Sequence, residues 1–155
     1  MDFDPLTGKL WDSENGPGFG DEINLIESGF NSGWNKLQGF WRAYTYFGGK
    51  YVPVDTIPGN DLVHLSENST YSHPEFAWNQ TVGITAIRFI DSDKLGENYH
   101  QLSDRIANTT EESNEALFAS GFAGVTDLDV GPDGYLYILT FHKSQGSIYR
   151  IVPNI

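Results

Sequence analysis

The run Asp12-Ser-Glu-Asn-Gly-Pro-Gly-Phe-Gly-Asp-Glu-Ile-Asn-Leu-Ile26, continuing to Gly29-Phe-Asn-Ser-Gly-Trp34, decides how the rest of the chain is read. Gly16, Gly18 and Gly20 punctuate a loop between two strand-like runs, residues 8–11 and 22–26. Glycine lets the backbone curl tightly, so successive carbonyls can turn inward. Calcium takes about six to eight oxygens, from carboxylates and carbonyls alike. With Asp21 and Glu22 placed to close the shell, the loop is a candidate cation site. The competing reading is a hairpin loop with solvated acids. The spacing is not that of an EF-hand. Nor is it a dinucleotide loop, because the G-x-G-x-x-G spacing and the following helix are lacking.

Outward from this loop, composition narrows the fold. The chain has 155 residues, 39% hydrophobic and 14% aromatic, with 17 glycines and 7 prolines. That length holds one ordinary domain. Aromatic and β-branched side chains fit a pleated, half-buried surface while Gly and Pro supply turns, so many short strands are expected. No apolar run approaches the about 18 residues of a membrane span, and no charged-then-apolar leader opens the sequence. A net charge of −12 repels nucleic acid and anionic lipid, which removes both as expected partners. The chain has no cysteine, so disulfides, thiol catalysis and Cys-zinc sites are excluded.

Two segments echo each other: residues 3–11 with 21–26, and residues 130–140 with 146–152. In both, a Pro/Gly turn launches a strand, a polar loop follows and a second strand returns. Each reads as a β-hairpin or the inner part of a four-stranded propeller blade. Two copies over this distance fit a repeat of roughly 40 residues. Residues 82–90 (Val-Gly-Ile-Thr-Ala-Ile-Arg-Phe-Ile) are predicted as a further strand. Residues 35–73 read as a long connection with weak strands near 41–47 and 51–54. The helix candidate lies within residues 102–117, interrupted at Asn108-Thr-Thr, and a short helix is expected over 110–117. Blade-like segments then cover about residues 1–34, 74–100 and 121–153.

Other chemistries find little support. His64, His73, His100 and His142 show no metal-ligand spacing and read as solvated or structural. No G-x-S-x-G elbow is present, and the acids are too dispersed for a glycosidase pair. Trp11, Trp34, Trp41 and Trp78 offer sugar-stacking surfaces or, more simply, blade packing. Asn68, Asn79 and Asn108 open N-x-[ST] triplets that matter only in an exported chain.

The central block resembles a signature of the glucose/sorbosone dehydrogenases, the soluble quinoprotein sugar dehydrogenases. The similar positions are Glu14-Asn15-Gly16-Pro17, Asp21-Glu22-Ile23-Asn24-Leu25-Ile26 and Gly29-Phe30-Asn31-Ser32-Gly33-Trp34. Residues 74–78, 83–89, 132–137 and 146–153 are similar to the family as well. The resemblance implies part of a six-bladed β-propeller, about two to three blades. It implies that the carbonyls of Gly16 and Pro17 face a calcium that bridges pyrroloquinoline quinone (PQQ) to the protein. It also implies that Asn15 lies beside the quinone and that Glu22 belongs to a neighbouring calcium site. The chemistry implied for an extracellular or periplasmic parent is hydride transfer from C1 of a sugar to the quinone.

This chain departs from the family pattern in ways that bear on activity. The family's catalytic histidine lies on an earlier blade, so the chain is expected to be the C-terminal part, with no catalytic residue of its own. Gly124 and Thr126 stand where the family carries an Arg-x-Arg pair before Asp127. A hairpin bearing a quinone-contacting lysine is expected to be deleted after residues 95–100. The quinone is a tricarboxylate, and its burial requires compensating cations. With nine Lys and Arg against 21 acids, tight quinone binding by this chain alone is not expected. The alternative is a non-catalytic propeller that binds a ligand or protein. A part-ring also leaves blade faces uncovered, so self-association is expected.

Overall fold

Short alternating runs broken by glycine turns give small ladders rather than long elements. The computed structural model describes residues 1–45, 48–58, 63–66, 69–92, 94, 106–115, 117, 119–122 and 124–152. In chain order the first strands are β1 (Asp2–Phe3), β2 (Leu10–Glu14), β3 (Asp21–Ile26), β4 (Leu37–Gln38), β5 (Trp41–Thr45) and β6 (Tyr51–Thr56). Then come β7 (His64–Ser66), β8 (Ser69–Thr70), β9 (Phe76–Trp78), β10 (Ile106–Ala107) and the helix α1 (Thr110–Glu115). The last three strands are β11 (Val125–Val130), β12 (Leu136–His142) and β13 (Gln145–Arg150). The chain is all-β, as expected. No helix among the described residues is long and apolar enough to cross a membrane.

The first sheet has the order β1-β2-β3-β9-β10, antiparallel except that β10 runs parallel to β9. The last sheet, β11-β12-β13, is an antiparallel meander with a register shift between Val125 and Asp127. The two echoed segments are therefore alike in structure: each is three antiparallel strands in chain order.

Residues 35–73 are more than a connection. They carry the sheet β4-β5-β6 and the ribbon β7-β8, and much of the buried core. One cluster joins Phe40 and Trp41 to Phe19 and Ala77, and another joins Leu37, Ile57 and Tyr71. Residues 37–41 are buried one after another around the β4–β5 turn. Such contiguous burial shows neither strand nor helix periodicity, so the pattern read as loop.

The strand predicted over residues 82–90 does not form. Val82 and Gly83 donate their N–H groups to Asp21 Oδ2 at 2.8 and 2.7 Å, and Phe89 donates to Asp2 Oδ2 at 2.8 Å. A backbone donor spent on a carboxylate cannot join a ladder. The segment is instead a strap from the first sheet to the last. Arg88 bridges Asp2 at 3.1 Å and Asp129 at 2.7 Å, and Phe89 packs edge-on to Trp11 with ring centroids 5.9 Å apart.

The helix α1 begins at the expected Thr110. Thr109 Oγ1 accepts the Glu112 N–H at 3.1 Å, and Glu112 Oε2 accepts the Asn108 N–H at 2.7 Å. This is a capping box shifted by one residue on its return bond. Of the two residues expected beyond Glu115, Ala116 is outside the described residues and Leu117 is not helical. The expected hairpin deletion after residues 95–100, together with His100 and Asn68, also falls outside the described residues.

Candidate cation site

The loop between β2 and β3 is folded around Asp21, whose carboxylate is fully buried. Oδ1 accepts the Gly16 N–H at 2.7 Å and the Thr81 hydroxyl at 2.5 Å. With Val82 and Gly83 on Oδ2, this carboxylate takes four donors. Two positions in the loop require glycine. A Cβ on Gly16 would stand 1.7 Å from the Phe19 carbonyl oxygen. Gly20 has φ +73° and the Gln38 carbonyl oxygen 2.8 Å from where its Cβ would be. Gly20 is also clamped, donating to the Trp78 carbonyl at 2.9 Å and accepting from Gln38 Nε2 at 2.9 Å. Asp21 thus sets the shape of the loop.

Cross-strand register places Glu14 opposite Glu22 and Asp12 opposite Asn24. Residues two apart on a strand share a face, so four oxygen-bearing side chains line one face of the hairpin. Glu22 and Asn24 are fully buried; Asp12 and Glu14 are half-buried. Glu22 accepts Asn24 Nδ2 at 3.1 Å and the Gly39 N–H at 2.5 Å. Burial pushes the Glu22 carboxyl up to about 8, with the charges of Glu14 and Asp12 adding to the rise. Burial raises Glu14 as well, against a hydrogen bond from Ser32. Like charges directly opposite one another destabilise a sheet. Among the described residues, no Lys or Arg forms an ion pair with any of these acids.

Among the described residues, Asn24 Oδ1 on this face is buried without a hydrogen-bond partner, and so is the nearby Gln38 Oε1. An orphaned buried acceptor costs roughly 1–3 kcal/mol. A hard cation answers both problems, since it takes the amide oxygen as a ligand and neutralises the carboxylates. Across from Glu22, Ala77 on β9 is small and fully buried. Among the described residues, no three Asp, Glu or His side chains already converge as a metal shell. Neutral oxygens would have to complete the coordination, and calcium accepts them readily. The donor set on this face fits calcium.

Of the residues singled out in sequence, Glu22 lies on the acid face and Asp21 lies buried beside it. Gly16 reaches Asp21 through its N–H, while Asn15 and Pro17 are exposed on the loop. Asp12, Glu14 and Asn24 were missed. Their signal emerges once the register is known: polar oxygens at i and i+2 on both sides of a hairpin loop then meet across the ladder. Gly124 accepts the Phe141 N–H at 2.8 Å and the Thr126 hydroxyl donates to the Leu139 carbonyl at 3.2 Å. Both positions serve the last sheet and bring no cation. His73 packs against Phe40 and Tyr71, with ring centroids at 5.8 and 4.7 Å, and His64 Nδ1 is 3.2 Å from Thr70 Oγ1.

Comparison with known proteins agrees with this architecture. The chain is 26% identical to the aldose sugar dehydrogenase YliI of Escherichia coli K12, over 99% of its own length and 41% of that protein's. It is 29% identical to the uncharacterized protein slr1608 of Synechocystis, over 96% of its length and 35% of the relative's. The chain thus spans about two fifths of the curated relatives it matches. A crystal structure of a glucose dehydrogenase superposes with TM-score 0.60 at 21% identity, covering 98% of this chain and 43% of that one. That likeness establishes the fold as part of a β-propeller. The family model for glucose/sorbosone dehydrogenases matches residues 1–150, and the chain belongs to that family.

Proposed function

We propose that this chain supplies the calcium-binding loop and a closing blade of a calcium- and PQQ-dependent sugar dehydrogenase, and that it does not complete the reaction by itself. The observation that carries the proposal is the acid face of β2–β3: buried Glu22 beside orphaned Asn24 Oδ1, with Glu14 and Asp12 across the ladder. In this reading Glu22, Glu14 and Asn24 hold the ion while Asp21 holds the loop that carries Asn15, Gly16 and Pro17. Calcium so held would supply positive charge where the quinone docks.

The quinone itself does not fit this chain alone. Its three carboxylates call for Lys or Arg, whereas the loop presents Asp12, Glu14, Asp21 and Glu22. Gly124 and Thr126 occupy the positions that resemble the family's arginines. No hydride-transfer step is therefore assigned to these residues. The same two positions favour a second reading, a propeller of this family that binds a ligand without oxidising it.

Calorimetric titration of the purified chain with calcium tests the site. We expect weak binding, of the order of 10⁻⁴ to 10⁻³ M, that Glu22→Ala abolishes or weakens at least about tenfold. Identical heats for the two proteins would remove Glu22 from the site. For turnover, dye-coupled oxidation of glucose with calcium and added quinone should stay at the level of a heat-inactivated control. The missing general base alone is worth about 10²–10⁴-fold. Turnover above that control would overturn the claim that the chain is incomplete as a catalyst.

A further inference from the structure

Of the four tryptophans, Trp41 is buried in the core, and Trp11 and Trp78 are half-buried against Phe89 and Phe76. Trp34 differs, with 49% of its surface exposed. Tryptophan usually gives up most of its surface to packing. Yet this ring is not loose. It leans on Tyr51, centroids 4.7 Å apart and planes at 48°. Tyr51 in turn packs on the cluster of Phe19, Phe40, Trp41 and Ala77, and its hydroxyl accepts Asn35 Nδ2 at 3.0 Å. The backbone on either side is also fixed. Gly33 N–H donates to Asn31 Oδ1 at 2.8 Å, and the Lys36 and Leu37 N–H groups donate to the Gly33 carbonyl at 2.9 and 3.0 Å.

We propose that Trp34, braced by Tyr51 and Asn35, is a stacking platform for one pyranose ring of a saccharide, a subsite separate from the acid face. An aromatic ring has a negative face and a positive edge. The C–H groups on one side of a pyranose are weakly positive and flat enough to lie on such a face. The hydroxyls around the sugar then meet the Asn35 carboxamide and the Tyr51 phenol at the rim of the platform. Because both rings are already held, little side-chain freedom is lost on binding. Lys36, the cation nearest Trp34 in sequence, donates its Nζ to the Leu65 carbonyl at 3.2 Å. The platform also adjoins the acid face, since Ser32, two residues before Trp34, hydrogen-bonds Glu14.

The choice of a saccharide rests on the sugar-dehydrogenase reading. The test therefore uses neither calcium nor quinone, so that the two ideas fail separately. The intact chain is titrated with glucose and with maltotriose while the indole N–H resonances are followed by NMR. Trp34→Phe identifies the Trp34 signal and keeps a smaller ring; Trp34→Ala removes the platform at a site whose exposure spares the fold. A saturable shift of the Trp34 signal, with Trp41 unmoved, is expected. Affinity, read in every variant from the Asn35 side-chain amide resonance, should fall roughly tenfold in Trp34→Ala and less in Trp34→Phe. No Trp34 shift up to about 100 mM, well above millimolar dissociation constants, would overturn the proposal. Equal affinity in Trp34→Ala would do the same. So would a Trp34 signal that moves on dilution without saccharide, because the ring would then belong to a contact between copies of the chain.

Discussion

In the first sheet the β2–β3 hairpin buries Asp21, Glu22 and Asn24, whereas in the last sheet β12–β13 leaves Leu139, Phe141, Ile148 and Tyr149 exposed. Both hairpins are antiparallel, of similar length and preceded by a turn. Their side chains are distributed in opposite ways. On β12 the inward residues Leu136, Ile138 and Thr140 alternate with outward Leu139 and Phe141, so the sheet is apolar on both faces. Strands that are apolar on both sides are ones built to be covered on both sides. The β2–β3 hairpin instead turns four polar oxygens to one face. Among the described residues, one hairpin lacks a counter-charge and the other lacks a cover.

The largest effect should come from removing the hub of the first hairpin. Asp21→Ala leaves the Gly16, Val82 and Gly83 N–H groups without their acceptor. These bonds are part-buried, so water takes over some of each; at roughly 1.5–3 kcal/mol for a hydrogen bond to a charged group, a loss of about 3–5 kcal/mol in denaturant unfolding is expected. The mirror change in the last sheet, Asp127→Ala, should cost under about 0.5 kcal/mol, as exposed substitutions do. Equal costs would erase the contrast between the two regions.

These two regions also differed in how far the sequence revealed them. Both hairpins were legible, because their strands alternate and their turns carry Gly and Pro. The β2–β3 loop was legible through its glycines and acids, and Glu22 was singled out for that reason. Asn24 was not found, because an amide counts as a ligand only once the register is known. Residues 82–90 misled because apolar, β-branched composition speaks for a strand while saying nothing about where the N–H groups go. Here Asp21 and Asp2 take them. Residues 35–73 hid a core whose burial runs contiguously through residues 37–41.

A smaller effect should follow from blunting the uncovered face. The chain should bind a hydrophobic dye and associate in light scattering, since contiguous apolar patches of a few hundred Å² mark interaction or aggregation sites. Phe141→Ser with Ile148→Thr should reduce both while shifting stability by no more than about 0.5 kcal/mol for each substitution. A monodisperse wild type that ignores the dye would mean that this face is covered within the chain.

The most direct test of the account concerns Glu22 and its proton. Its pKa is raised from 4.5 to about 8 by burial and by the acids facing it. Across that window the folded chain keeps a proton that the unfolded chain gives up. Stability is therefore fullest below pH 4.5 and falls as pH rises towards 8, by up to ~1.4 kcal/mol per pH unit. Asp4, held low by the Thr7 hydroxyl and the Leu6 N–H, loses its contribution only as pH falls below the carboxylate range, so it does not mask the trend. Under the proposed function, calcium would take the place of the proton on Glu22. Melting temperature measured from pH 5 to pH 8, with and without calcium, should decline with pH in its absence and stay nearly level in its presence. Stability that rises over this range without calcium, or a calcium effect that does not grow with pH, would contradict a cation site at Glu22.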